Sequence, residues 1–165
     1  LNQWMLKVLL DNAGNEYDIN AAVAALGGAA AIREAKALIA ADGFYEWRHT
    51  AARKQPYLIR FTDQRPFAFA GLWESWRDPE GEAIDSCTIL TTTPNPLVAA
   101  IHDRMPVILP PAAFDEWLDP APLERERLTA LLAPHPAANM EAFAVSPRVS
   151  NPRNDDPGCV EPVQE

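Results

Sequence analysis

Two short stretches of this chain hold side chains suited to moving protons and gripping an anion. The first, Ala41-Asp42-Gly43-Phe44-Tyr45-Glu46-Trp47, sets one carboxylate inside an aromatic run just after a turn signal. The second, Ile101-His102-Asp103-Arg104-Met105-Pro106-Val107-Ile108-Leu109-Pro110, carries a histidine with an arginine two residues beyond it. Ionising a carboxylate walled by aromatic rings is costly, so its pKa rises toward the range useful for proton transfer. The histidine can act as a second proton relay, and the arginine as a clamp for an anion. The plainer alternative is an edge-strand Glu46 that points into water.

The surrounding pattern says which elements would position these groups. Asp-Gly breaks the chain and Phe-Tyr-x-Trp favours a strand, which places Glu46 near a strand start. Ala29–Leu38 reads as a helix, weakened upstream by Gly27-Gly28. Tyr57–Phe61, Phe67–Trp73 and Cys87–Thr92 are short β-rich runs, separated at hairpin-like lengths by Thr62–Pro66 and Asp78–Asp85. Pro96–Ile101 reads as a short helix with Pro at its first turn, delivering His102 at its end. Pro111–Leu118 and Leu123–Leu132 are further helices, Met140–Val145 is a strand, and the tail from Ser146 to Glu165 is irregular. Strands interrupted by helices indicate an α+β fold.

At 165 residues the chain suits one domain with a real core. It starts at Leu1, and Trp4-Met5-Leu6 reads like the interior of a fold. The expectation is therefore a single domain over 1–165 that lacks an N-terminal segment. No run approaches the ~20 apolar residues of a membrane span, and the first residues lack a signal-peptide pattern. Cys87 and Cys159 show no metal or redox spacing, so a reducing cytoplasm is the default compartment. A net charge of −9 argues against indiscriminate nucleic-acid binding. The charges are unevenly spread, however. Arg48, Arg53, Lys54, Arg60 and Arg65 face only Asp63 in their stretch, while acids gather in 74–85 and 115–126.

These stretches, with Phe67–Glu74, Thr88–Thr92, Val145–Val149 and Asn151–Asn154, resemble the SOS-response-associated peptidase family, also called abasic-site processing proteins. The resemblance runs from about Trp4 to Pro162. It implies a mixed, largely antiparallel, barrel-like β core with peripheral short helices and a groove for single-stranded DNA containing abasic sites. It further implies an N-terminal cysteine that condenses with the opened sugar aldehyde to a Schiff base and then a thiazolidine. Glu46 and His102 match the family's catalytic glutamate and histidine, and Arg104 its phosphate contact. Trp4 and Trp47 match tryptophans that flank the DNA, and Asn20 matches the family's Asn-Ala-Arg asparagine. No cofactor or membrane is implied, and a cytoplasmic monomer, nucleoid-associated when bound to DNA, is expected. Departures are plain: Ala22 stands where that motif has arginine, Ala40 replaces a proline, and neither cysteine is N-terminal.

Rival readings use the same residues. Glu46-x-x-His49 has helical metal-ligand spacing, but on a strand residues three apart face opposite ways, so no metal site is expected. A peptidase or self-processing hydrolase could use Glu46 and His102 on an amide, although no Gly-x-Ser-x-Gly elbow is present. A third reading is a folded, non-catalytic remnant, favoured by the net charge and the replaced arginine.

Overall fold

The computed structural model describes residues 36–50, 54–77 and 79–164. Its first sheet contains β1 (Lys36–Ala41), β4 (Phe67–Arg77), β5 (Ala83–Ile89) and β8 (Ile108–Leu109). Its second is β2 (Phe44–His49), β3 (Lys54–Phe61) and β9 (Met140–Ala144), in that order. A two-stranded piece joins β6 (Thr91–Thr92) to β7 (Met105–Pro106). Every strand pairing among the described residues is antiparallel. The α+β, largely antiparallel expectation holds, with two short helices, α1 (Phe114–Leu118) and α2 (Arg125–Leu131). The barrel-like expectation needs correction, because the described strands form separate sheets and do not close on themselves.

Alternation along the strands explains the layering. Phe67 and Phe69 of β4 point toward the second sheet, where Phe44, Ile59, Phe61 and Met140 meet them in one apolar cluster. Phe44 and Phe69 pack edge to face at 5.9 Å, the geometry their ring quadrupoles favour. Ala70 and Leu72, on the other face of β4, join Val107, Leu109, Trp117 and Leu131 in a second cluster under the helices. A third cluster, Tyr45, Leu58 and Val145, covers the outer face of the second sheet.

Asp42-Gly43 is where the chain leaves one sheet for the other. A side chain at Gly43 would place its Cβ 3.0 Å from Leu58 Cδ1 and 3.2 Å from the Ile59 carbonyl. Glycine thus lets the crossover pass tight against β3 and start β2 within two residues. Gly71 is tighter still: an added Cβ would lie 2.7 Å from Ile39 Cδ1 and 3.1 Å from the Thr88 carbonyl. Overpacking of this kind destabilises by about 1–3 kcal/mol. Gly71→Ala should therefore lower the unfolding free energy by that amount, moving the denaturant midpoint down without altering the slope. A change within scatter would show that β1 and β5 yield at this point.

The sequence misplaced the end of one helix. Lys36-Ala37-Leu38 belongs to β1, paired with Leu72-Gly71-Ala70; the earlier part of the expected helix lies outside the described residues. Helix propensity in an alanine-rich stretch is a fraction of a kcal/mol per residue, and pairing with a buried strand overrides it. Before His102 the expected helix is a short 3-10 turn, Val98–Ala100. The tail is more ordered than expected: 3-10 turns at Pro147–Ser150 and Pro157–Cys159 are capped by the side chains of Ser146 and Asp156.

Candidate functional site

Glu46 lies at the middle of β2, on the face that Phe44 begins. Successive strand residues point to opposite faces, so Tyr45 and Trp47 turn away from it into the outer cluster. The aromatic residue level with Glu46 is Tyr57, directly across the ladder on β3. The guanidinium of Arg48, two residues along the same face, lies 4.8 Å from the Tyr57 ring centre. The sequence was right that Glu46 is sheltered but named the wrong rings. Only 18% of its side chain is exposed.

That burial pushes the Glu46 carboxyl up from about 4.5 to about 7, chiefly by stripping water from the charged form. His102 opposes the rise by favouring the carboxylate, Asp103 adds to it, and a hydrogen bond from the Trp47 backbone opposes it again. The result is a carboxyl able to hold or release a proton at neutral pH.

His102 follows the 3-10 turn directly, and its backbone N–H donates to the Val98 carbonyl at 2.9 Å. Its Nδ1 lies 4.0 Å from Glu46 Oε2 and 3.3 Å from Asp103 Oδ1. The Arg104 backbone N–H also points at Nδ1, at 3.1 Å, which suits an unprotonated nitrogen. The Arg104 carbonyl, at 3.3 Å, and the two carboxylates suit a protonated one. Both protonation states of Nδ1 thus find partners in place. A separation of 4.0 Å is too long for a direct hydrogen bond but short enough for the two groups to feel each other's charge.

Arg104 is drawn back from its own backbone by Thr91 of β6. Its Nη2 donates to the Thr91 carbonyl at 2.9 Å and to Thr91 Oγ1 at 3.0 Å, and Nε donates to Oγ1 at 3.3 Å. These bonds fix where the positive charge sits. Trp47 is half-buried and donates its indole N–H to Ser150 Oγ at 3.0 Å. Glu46 and His102 therefore come together, Arg104 meets His102 through its backbone while its guanidinium is held at Thr91, and Trp47 lies on the opposite face of β2. Trp4 and Asn20 lie outside the described residues. The other histidines are elsewhere: His49 is exposed at the end of β2, and His135 packs 5.1 Å from the Phe61 ring.

Tyr57, Thr91 and Asp103 contribute to this arrangement, although in the sequence they figured only within their motifs and strands, with no role at the site. Tyr57 could have been paired with Glu46 by counting back across the β2–β3 hairpin, but the register depends on where the turn begins. Nothing in one sequence marks Thr91 as the partner of an arginine thirteen residues away.

A two-sheet α+β fold that sets a half-buried glutamate beside a loop histidine, with an arginine tethered two residues further on, narrows the class of protein considerably. The family described as SOS response associated peptidase (SRAP) matches residues 29–152, and the chain belongs to that family. It is 45% identical over 127 residues to the abasic site processing protein YoqW of Bacillus subtilis (strain 168), covering 76% of this chain and 57% of that one. It is 35% identical over 155 residues to the abasic site processing protein HMCES of Xenopus tropicalis, covering 82% of this chain and 46% of that one. The chain thus spans about half the length of these relatives. A crystal structure of a protein from Bacteroides thetaiotaomicron superposes with a TM-score of 0.73 at 31% identity, covering 81% of this chain and 59% of that one. Another, from Bordetella bronchiseptica, gives a TM-score of 0.61 at 33% identity over 72% of this chain and 57% of that one.

Proposed function

We propose that this protein acts in the DNA-damage response by sensing abasic sites in single-stranded DNA, with Glu46 and His102 handling the protons of covalent chemistry at the opened sugar. The observation that carries this reading is the Glu46 carboxyl, raised to about 7 and set 4.0 Å from an imidazole nitrogen. Family membership and the names of the relatives supply the substrate.

The chemistry asks for what the pair offers. An amine adds to the sugar aldehyde to give a carbinolamine, whose hydroxyl must take a proton to leave as water. The protonated Glu46 donates it, and the carboxylate then recovers the proton released as the nitrogen becomes an imine. A neighbouring thiol adds to the imine carbon, its proton passing to the nitrogen, and a five-membered thiazolidine closes. Glu46 ends each cycle as it began, which requires a pKa near the working pH. The full sequence holds two cysteines. Cys159 is buried, and Cys87 lies on β5 packed against the main cluster. Neither adjoins a free amine, so the aminothiol of this scheme is no part of these residues.

Arg104 would bind a phosphate, Trp47 and Trp4 would flank the bases, and Asn20 would line the same groove. The protein would act as a cytoplasmic monomer drawn to the nucleoid when bound to DNA. No helix of the described residues is long and apolar enough to cross a membrane.

Fluorescence anisotropy with matched single- and double-stranded oligonucleotides at low salt tests the DNA reading. Single strands should bind more tightly, because stacking needs unpaired bases. Arg104→Ala should weaken binding and reduce the slope of log affinity against log salt by about 0.7, the value for one phosphate contact on a single strand. Equal or absent affinity for both forms would remove the DNA reading and favour the folded, non-catalytic remnant.

A further inference from the structure

Glu46 and His102 belong to separate parts of the fold. Glu46 is carried by the β2–β3–β9 sheet, and His102 by the loop from Val98 to Met105 that precedes β7. Their separation is set by whatever ties that loop to that sheet. One buried polar side chain lies between the two.

Asn95 is 4% exposed, and all of its polar groups are engaged. Its Oδ1 accepts from the Val98 N–H at 3.0 Å, and its carbonyl accepts from the Ala99 N–H at 2.9 Å. Val98 in turn accepts from both Ile101 and His102, at 2.8 and 2.9 Å, while its own side chain is fully buried. The His102 backbone therefore hangs from Val98, and Val98 from the Asn95 side chain. The Asn95 N–H contacts Met105 Sδ at 3.2 Å, three residues beyond His102. Both ends of the His102 loop thus meet one residue.

The other end of the Asn95 amide reaches the second sheet. Nδ2 donates to the His135 carbonyl at 2.8 Å and lies 3.4 Å from Sδ of Met140, the first residue of β9. From Met140 the ladder runs through β3 to β2 and Glu46. One planar amide therefore joins the loop of the histidine to the sheet of the glutamate, with its acceptor on one and its donor on the other.

We propose that Asn95 is a positioning residue that sets the separation of Glu46 and His102. The proposal rests on the reading of those two as a proton-transfer pair. Asn95 touches neither of them and reaches His102 only through the Val98 turn.

The test measures whether the pair still sense each other. In the 165-residue chain, the Glu46 titration is followed by side-chain carboxyl ¹³C shifts, with Glu46→Gln used for assignment. His102→Ala should move the Glu46 midpoint further upward, since it removes a group 4.0 Å away that favours the carboxylate. Asp103 is unchanged in both arms and cancels. The comparison is then repeated in two backgrounds. Asn95→Asp keeps an acceptor for Val98 but replaces the donor facing His135; Asn95→Ala removes both. The His102-dependent shift should be lost in each background that melts cooperatively. A charge introduced by Asn95→Asp is common to both arms and does not enter the difference.

A shift as large as the parent's in either folded background overturns the proposal. Failure of both variants to fold would also reject it, since Asn95 would then serve the whole fold rather than the pair. If His102→Ala leaves Glu46 unmoved in the otherwise unaltered chain, the pair itself is refuted and the positioning role falls with it. A parent shift that survives in the Asn95 variants refutes the positioning role alone.

Discussion

A Glu46→Gln variant should melt higher than the parent above pH 7 and, under the proposed chemistry, should form the covalent adduct about 10²–10⁴-fold more slowly in a protein that carries an N-terminal cysteine. The two effects have one cause. In the folded protein the carboxyl holds its proton up to about pH 7, and in the unfolded chain it loses it near 4.5. Between those values the folded state binds more protons, so stability falls as pH rises through the window. The contribution is fully present below the lower value and gone above the upper one. A displacement of this size corresponds to about 3 kcal/mol at most, and glutamine removes it. His135 works with the opposite sign, because burial lowers its pKa and stability falls as pH drops below its ordinary range. It is common to both proteins and cancels in the difference. Melts of parent and variant at pH 4.5 and 8 settle the matter. The curves should lie close together at the lower pH and separate at the higher one, with the variant on top. Identical melts at pH 8 combined with wild-type adduct kinetics would remove Glu46 from the mechanism. A stabilised variant with wild-type kinetics would make it a buried carboxylate and no more.

The largest expected loss of stability comes from Trp117→Ala. Trp117 is 1% exposed at the end of α1, and its indole N–H donates to the Ala37 carbonyl of β1 at 2.9 Å. Lys36 lies 5.8 Å above its ring centre, and its ammonium donates to the Asp119 carbonyl. Removing the ring opens a cavity beside Val107 and Leu109, the residues that follow the His102–Arg104 segment. Truncations of this kind destabilise by about 3–5 kcal/mol, or roughly 6–20 °C in a domain of this size. Trp117→Phe keeps most of the volume and loses the hydrogen bond, so it should cost about 1–3 kcal/mol. Circular dichroism melts of the two variants separate packing from hydrogen bonding. A loss below about 1 kcal/mol for alanine would mean that α1 and β1 collapse onto the gap.

The site residues differ in how they could be recognised. Glu46, His102 and Arg104 stood out because titratable groups in apolar surroundings are unusual in any sequence, and because their motifs resemble a known family. Asn95 did not, since an asparagine after Thr-Thr-Thr-Pro reads as an ordinary turn residue. Its importance comes from partners at His135 and Met140, forty and forty-five residues away. Trp47 shows the converse. It was grouped with Glu46 because they are adjacent, yet adjacency on a strand separates side chains.

The sequence by itself determined the strands that begin at Phe44, Phe67 and Met140 and those over 57–61 and 87–92, the turn at Asp42-Gly43 that starts β2, the helices near Phe114 and Arg125, and which titratable groups stand among apolar neighbours. Each follows from local rules: period-two alternation, the turn chemistry of glycine and proline, and the cost of burying charge. Tertiary structure decided the rest. It paired Lys36–Leu38 with β4 against their helical propensity, set Tyr57 rather than Trp47 beside Glu46, and brought His102 within 4.0 Å of Glu46 Oε2. It also gave the Glu46 carboxyl a pKa of about 7, because that value depends on how much water the folded neighbours exclude. Those outcomes rest on contacts between residues far apart in the chain, where register and packing act together and no local window holds both partners.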